Sequence, residues 1–309
     1  MEFYAEITKS NIHNYLCEYE VILCKIRNSR IKAKKIAILE MIFLQTDSGA
    51  LFIKNGPLGD IKGLVSFLCP KNNLGYFKDR LKFLGYFDIF YILDFNNLET
   101  KKNINLYSIN PLVWKGKKFS IERFFSQNKK IYEEQSPHNR MFRIYDNNGE
   151  IKEVCGYRGD GSEFGSRALP VEDARCMVNL SQPGKNKKMI DPFAGAGGII
   201  YQFKYIVPDG NMISVDIDPI LKPGLEYYGA AHYIKNASGI CLTANSFNSV
   251  ITEVPFSVNA LDDINNALRQ LSSFISKDGV FIIMCGKNQS GEIQKTMEEI
   301  NNYLLYKHE

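Results

Sequence analysis

The second half of this 309-residue chain predicts a doubly wound α/β domain with a mostly parallel sheet, and the first half a mixed α+β domain. Two observations carry the first expectation. From Met189 onward, short apolar runs suited to buried strands alternate with stretches whose apolar residues recur at helical spacing. A glycine-rich turn, Gly195-Ala196-Gly197-Gly198, stands between one such strand and the helix after it, where backbone approaches a ligand closely. The first half is less legible. Aromatic runs mix there with basic clusters, and few turn signals fix a topology.

Ile31-Lys32-Ala33-Lys34-Lys35-Ile36 leads into a mainly apolar stretch, Ile36 to Ile53, broken by the polar Gln45 to Gly49. Its two apolar pieces suit helix or strand alike. Leu74-Gly75-Tyr76-Phe77 recurs as Leu84-Gly85-Tyr86-Phe87, but solenoid units run about 20–50 residues in several copies. Val113-Trp114-Lys115-Gly116-Lys117-Lys118-Phe119 interleaves basic and aromatic residues. That pattern suits phosphates and stacked bases, and equally a strand edge guarded by lysines. A polar segment around Gln135–Arg140 marks a boundary. We divide the chain into an N-terminal substrate-recognition domain (1–135), a linker with a glycine-rich loop (136–164) and a second domain (165–309).

In the second domain Pro170 opens a helix with Val171, Ala174, Met177 and Val178 on one face and Glu172 and Asp173 in its first turn. Met189-Ile190 reads as a strand running into Asp191 and the glycine turn, with a helix from Ile199. Met212–Val215 is the next strand, closing on Asp216-Ile217-Asp218-Pro219, and Ile240–Asn245 is read as the third strand and its end. Leu261, Ile264, Leu268, Leu271 and Ile275 define one apolar helical face. Val280–Met284 reads as a strand covered on both faces. Ile293, Met297, Ile300 and Leu304 mark a last helix.

Composition excludes several classes. With 45% hydrophobic and 23% charged residues the chain is a folded globular protein. No apolar run approaches the ~18 residues of a membrane span, and the first twenty residues, with Glu2, Glu6, Glu18 and Glu20, lack a signal-peptide pattern. Seven cysteines without a C-x-x-C pair suit reduced thiols in the cytoplasm, and four scattered histidines indicate neither a metal site nor a catalytic triad. Charge is uneven: residues 1–190 hold 30 Lys+Arg against 21 Asp+Glu, or +9, and residues 191–309 hold 8 against 13, or −5. A basic half suits a polyanion, and it equally suits a lysine-rich solvated face.

The motif chemistry centres on two acids. Asp191 precedes the glycine turn, and Asp216 ends the next strand, where a carboxylate can accept both hydroxyls of a ribose. No Lys-Ser/Thr follows the glycines, so this is not a phosphate cradle of the G-x-x-x-x-G-K-[ST] kind. An acid before the turn fits a cationic amino-acid nucleoside better than a dinucleotide. Asp191 would face its ammonium end and Asp216 its ribose.

These residues resemble a family. Asp191-Pro192-Phe193-Ala194-Gly195-Ala196-Gly197-Gly198 is similar to the D-P-F-x-G-x-G-G signature of S-adenosylmethionine-dependent RNA methyltransferases, closest to the THUMP-linked tRNA guanosine branch. Gly165-Ser166-Arg167-Ala168-Leu169-Pro170 and the helix after it resemble that branch's segment before the turn. The resemblance covers about 165–290. It implies a Rossmann-like methyltransferase domain that binds S-adenosylmethionine through Leu169, Pro170, Asp191, Phe193, Gly195, Gly197, Asp216 and Ile217. Asn245 would stand where the family places an adenine-binding Asp. Thr252-Glu253-Val254-Pro255-Phe256 matches the family's [DNS]-P-P-[YFW] loop. Glu253 and a backbone carbonyl would hold an exocyclic amine, Pro255 would shape the loop, and Phe256 would stack on the base. Val254 departs from the pattern, standing where the first proline is usual. The N-terminal half shows no THUMP signature.

Arg158, in a glycine-spaced loop, Arg167 and Trp114 are candidate contacts to an anionic substrate. The expected activity is methyl transfer to RNA, with a tRNA-like substrate. A small-molecule, peptide or protein acceptor, or a noncatalytic binding protein of this fold, are the alternatives. Oligomeric state is not readable.

Overall fold

A six-stranded sheet organises the first of the two units into which the chain divides, Met1–Lys129 and Lys130–Glu309. The computed structural model describes residues 4–6, 12–54, 63–93, 106–109, 112–114, 117–118, 121–126, 141–155, 169–300, 302, 304 and 307. The strands of the first unit are β1 (Tyr4–Glu6), β2 (Tyr19–Ile26), β3 (Leu51–Lys54), β4 (Leu64–Pro70) and β5 (Phe87–Leu93), followed by β6 (Leu106–Ile109), β7 (Leu112–Trp114), β8 (Lys117–Lys118) and β9 (Ile121–Ser126). The large sheet runs β1-β3-β4-β2-β5-β9, antiparallel except for the β1–β3 pair, and β6-β7-β8 form a separate small sheet. Trp114 ends β7, with its backbone opposite Lys117. In β2, Val21 to Cys24 are all buried, so side chains on both faces of this central strand are covered.

The helices of this unit are α1 (Ile12–Tyr15), α2 (Lys34–Leu44) and α3 (Leu74–Arg80). The apolar stretch from Ile36 thus resolves into a helix, α2, and a strand, β3. Glu40, the one charge inside that helical piece, is fully buried. Its two oxygens accept the backbone N–H of Gly85 (2.6 Å) and Tyr86 (3.0 Å), which satisfies the carboxylate and fixes the entry to β5. The repeated Leu-Gly-Tyr-Phe quartet illustrates tertiary control. Its first copy starts α3 with Tyr76 exposed, and its second enters β5 with Tyr86 buried. Burial pushes the thiols of Cys24 and Cys69 up, the latter to about 12, so both are inert packing residues.

In the second unit a hairpin of β10 (Met141–Tyr145) and β11 (Ile151–Cys155) comes first. It lies within the segment read from sequence as linker. Phe142 and Ile144 are buried, and the Arg143 guanidinium sits 3.5 Å over the Tyr227 ring while pairing with Glu153 at 2.7 Å. The main body is a five-stranded parallel sheet of β12 (Lys188–Asp191), β13 (Asn211–Asp216), β14 (Ala231–Ile234), β15 (Phe247–Glu253) and β16 (Ile275–Met284). Its helices are α4 (Val171–Leu180), α5 (Gly198–Ile206), α6 (Lys222–Tyr227), α7 (Leu261–Ser272) and α8 (Ser290–Glu299).

The strand order is β14-β13-β12-β15-β16. The chain starts at the centre, winds out one way through β13 and β14, then crosses to β15 and winds out the other way. The crevice at the C-terminal ends of β12 and β15 is therefore the topological switch point, where doubly wound sheets bind ligands. This is a doubly wound, Rossmann-like arrangement.

Four sequence readings need correction, the first being the last helix, which ends at Glu299 and leaves Ile300 in a turn and Leu304 exposed outside it. The third strand is Ala231–Ile234, not Ile240–Asn245, which is irregular. A turn at Ser273 and Phe274 ends α7, so Ile275 opens β16 rather than closing the helix. Val280–Met284 is half-buried, because β16 is an edge strand among the described residues.

Candidate functional site

Asp191 is the last residue of the central strand β12 and only 1% exposed. Its Oδ1 accepts the Thr252 hydroxyl at 2.8 Å and the Phe193 N–H at 3.3 Å. Burial raises the carboxyl to about 7. The Thr252 and Phe193 hydrogen bonds oppose that rise, and the charges of Asp216 and Glu253 add to it. These three acids end β12, β13 and β15, so the switch point is a negative pole that favours a cationic ligand.

The turn after Asp191 needs its glycines. Gly195 (φ 48°) and Gly197 (φ 78°) are left-handed, and a Cβ on Gly197 would lie 2.9 Å from Leu225 Cδ2. A Cβ on Gly195 would meet no protein atom within 4 Å, so its backbone borders open space on the site side. The Gly195 N–H donates to Asp216 Oδ2 (2.8 Å), and the Asp218 N–H to Asp216 Oδ1 (2.9 Å). Each oxygen keeps a second lone pair, so the carboxylate is oriented by backbone and still able to accept two hydroxyls. Beside it Ile217 is 71% exposed, and Ile234, the register partner of Asp216, is 43% exposed.

Leu169 is buried against the start of α5, its Cβ 3.7 Å from where a Gly198 Cβ would be, and Pro170 precedes α4. Phe193 packs against the cluster of Val254, Ile264, Leu268 and Ile293, linking the glycine turn to the loop after β15.

In that loop Glu253 is half-buried, Val254 is buried, and Pro255 and Phe256 are exposed, Phe256 by 55%. The structure gives a reason for Val254. Its N–H donates to Met284 O at 2.9 Å, extending the β15–β16 ladder by a bond no proline could make.

Asn245 is not part of this constellation. It lies in a left-handed turn (φ 54°) just before β15, at the N-terminal edge of the sheet, about 20 Å of strand from Glu253. Two residues past the end of the true third strand stands Asn236, whose Oδ1 accepts the N–H and hydroxyl of Ser238. Sequence reasoning missed it because Ala231–Ile234 is too short and mixed to stand out. Thr252 was also missed; its signal was a hydroxyl inside the apolar run before Glu253. Arg158 and Arg167 lie outside the described residues, and only the backbone of Trp114 is described.

No family model matches the chain. A "probable tRNA (guanine(10)-N2)-dimethyltransferase" of Methanothermococcus thermolithotrophicus is 27% identical over 151 residues, covering 44% of this chain and 90% of that protein. Among solved structures, an S-adenosylmethionine-dependent O-methyltransferase from Thermotoga maritima aligns with TM-score 0.38 at 11% identity over 63% of this chain and 76% of that one. A tRNA (m1A58) methyltransferase from Aquifex aeolicus aligns with TM-score 0.36 at 10% identity over 49% and 63%. The fold assignment rests on the strand order and the glycine turn rather than on these overlaps. No helix among the described residues is long and apolar enough to cross a membrane.

Proposed function

We propose that the protein is an S-adenosylmethionine-dependent methyltransferase acting on RNA, with an exocyclic amine of a tRNA base as acceptor. The observation that carries this reading is the convergence of Asp191, Asp216 and Glu253 on the glycine turn at the switch point. The donor set fits the cofactor: Asp191 suits its ammonium, Asp216 its ribose, and Ile217 and Ile234 the faces of its adenine. Leu169, Pro170 and Phe193 wall the site, and Gly195 and Gly197 allow close approach. When bound, the cofactor supplies an electrophilic methyl group on a sulfonium.

The rest is done by the chain. Glu253 accepts a hydrogen bond from the acceptor N–H, Pro255 holds the turn, and Phe256 offers an exposed ring for stacking. The gain comes mainly from orientation of the reacting atoms with water excluded. The amine's lone pair is delocalised into its ring, so the loop's task is to hold the nitrogen in attack geometry and stabilise charge as it develops.

The tRNA guanine dimethyltransferase similarity supports an RNA acceptor, as does the +9 balance of residues 1–190. Residues 1–135 select the substrate, with Trp114, Arg158 and Arg167 meeting its phosphates and bases. The free thiols of Cys17, Cys24, Cys69, Cys176, Cys241 and Cys285 suit a cytoplasmic enzyme.

The test is tritium transfer from labelled S-adenosylmethionine into fractionated cell extract. Label in the RNA fraction, weakening steeply with salt, is the expected result. Label confined to protein or small metabolites would replace the RNA reading with another acceptor.

A further inference from the structure

A single amide ties the loop after β15 to the turn after β16. Gln289, at the start of α8, is fully buried. Its Nε2 donates to the carbonyls of Pro255 (2.8 Å) and Ser257 (3.0 Å), and its Oε1 accepts the Gly286 N–H (2.9 Å). The two carbonyls bracket Phe256. Residues 254–257 have no regular secondary structure; the backbone holds the segment at its two ends, through the Val254 N–H to Met284 O and through the Ser257 carbonyl, which accepts the Ala260 N–H at 3.1 Å. Between those ends the Pro255 and Ser257 carbonyls are drawn to one buried side chain, while the Phe256 ring stays exposed. A buried side chain that fills both its donor positions with one loop and its acceptor with another fixes the relative position of the two.

We infer that Gln289 is the positioning residue of the acceptor loop: it presents Phe256, and the chain leading from Glu253, in the geometry the base must meet. This rests on the reading of Glu253–Phe256 as the acceptor loop. Gln289 touches neither reacting group. It acts through the two carbonyls, and so on the acceptor rather than on the cofactor.

Two variants of the full-length protein test this, with an unmodified tRNA transcript pool as acceptor and tritiated S-adenosylmethionine as donor. Gln289→Met keeps the length of the side chain and removes all three bonds. Gln289→Glu keeps the acceptor to Gly286 but, ionised, has no proton for the two carbonyls. Losing two such bonds, about 1 kcal/mol each net, is expected to raise the KM for tRNA by about tenfold or more. Cofactor affinity by calorimetry should stay within about twofold. Hydrogen exchange should quicken in peptides covering 254–258 and 286–289, and not in 188–191 or 211–216. For Gln289→Glu the ratio of variant to wild-type KM should fall as pH is lowered, since the protonated acid regains one donor; Gln289→Met should show no such rescue. An unchanged KM for tRNA, an unchanged exchange rate at 254–258, or a loss of cofactor affinity equal to the loss of tRNA affinity would overturn the assignment. Wild-type protein that transfers no label to the tRNA pool overturns the acceptor reading itself, and is seen before any variant is compared.

Discussion

Replacing Asp191 by Asn asks whether a buried acid at the switch point exists to meet a cation. Burial disfavours the charge of this carboxyl and pushes it up to about 7, against 3.8 for an ordinary Asp. The sign follows directly. Below pH 3.8 both folded and unfolded chains hold the proton, and burial costs nothing through ionisation. Between 3.8 and about 7 the unfolded chain releases it and the folded one does not, so stability falls as pH rises. Above about 7 the full cost, about 4 kcal/mol from the gap between the two values, is present.

An ammonium group beside Asp191 restores the charged form, so binding and ionisation are linked. Between pH 6 and 8 the ionised fraction of an acid titrating near 7 rises about tenfold, and S-adenosylmethionine affinity should rise by about the same factor, then level off. Burial lowers His232 from its ordinary 6.5. Asp191→Asn is close to isosteric, and its amide oxygen can accept the same two hydrogen bonds that Oδ1 takes from Thr252 and Phe193. The variant should therefore melt higher than wild type at pH 8. Its cofactor affinity should be about ten- to a hundredfold weaker and flat with pH. Calorimetry at pH 6, 7 and 8 in buffers of different ionisation enthalpy reads affinity and proton release together. Wild-type affinity that does not change over this range, or a variant that binds as tightly as wild type, would refute the reasoning.

Asp216→Ala removes an acceptor held by the N–H groups of Gly195 and Asp218, and calorimetry should show cofactor affinity lower by about 1.5–3 kcal/mol. Glu253→Gln keeps an acceptor oxygen without the charge and should lower kcat at saturating cofactor while leaving cofactor affinity nearly intact; a fully active variant denies the carboxylate a chemical part. Phe256→Ala should act on acceptor KM, by about 1–3 kcal/mol if the ring stacks on a base. Glu40→Ala leaves the Gly85 and Tyr86 N–H groups without their buried partner, and denaturant unfolding of the N-terminal unit should report a loss of about 1–3 kcal/mol.

How legible this molecule is in its sequence depends on how local each determinant is. Helix α4 and the turn from Asp191 to Gly198 are written in contiguous residues: an apolar face at helical spacing, acids in the first turn, glycines where φ is positive. The third strand is not. Ala231–Ile234 has His232 and exposed Tyr233 and Ile234 because it lies at the sheet edge beside β13, so the apolar continuity that reveals buried strands is absent. The more apolar Ile240–Leu242 has the look of a buried strand, although Ile240 owes its burial to packing against β13, β15 and α7 from outside the sheet ladder. The position of Asn245 inherited that error. Thr252 and Gln289 are illegible for a related reason. Their partners, Asp191 in one case and Pro255, Ser257 and Gly286 in the other, are brought to them by strand order. A hydroxyl or amide in sequence carries no sign of which distant group it will satisfy.

The departure at Val254 shows the same dependence on tertiary context. A proline at this position would stiffen the loop through its own ring, at the cost of a backbone donor. Val254 instead spends its N–H on Met284 and its side chain on the cluster with Ile264, Leu268 and Ile293, so it continues the strand and anchors the core. Order in the next three residues must then come from elsewhere, and the Gln289 amide supplies it from the turn after β16. Rigidity that a proline would supply locally is here assigned to a side chain more than thirty residues away. On this argument Val254→Pro is not a restoration of the family pattern. It removes the bond to Met284 and a buried apolar side chain together, and the loop keeps its shape only while Gln289 holds it.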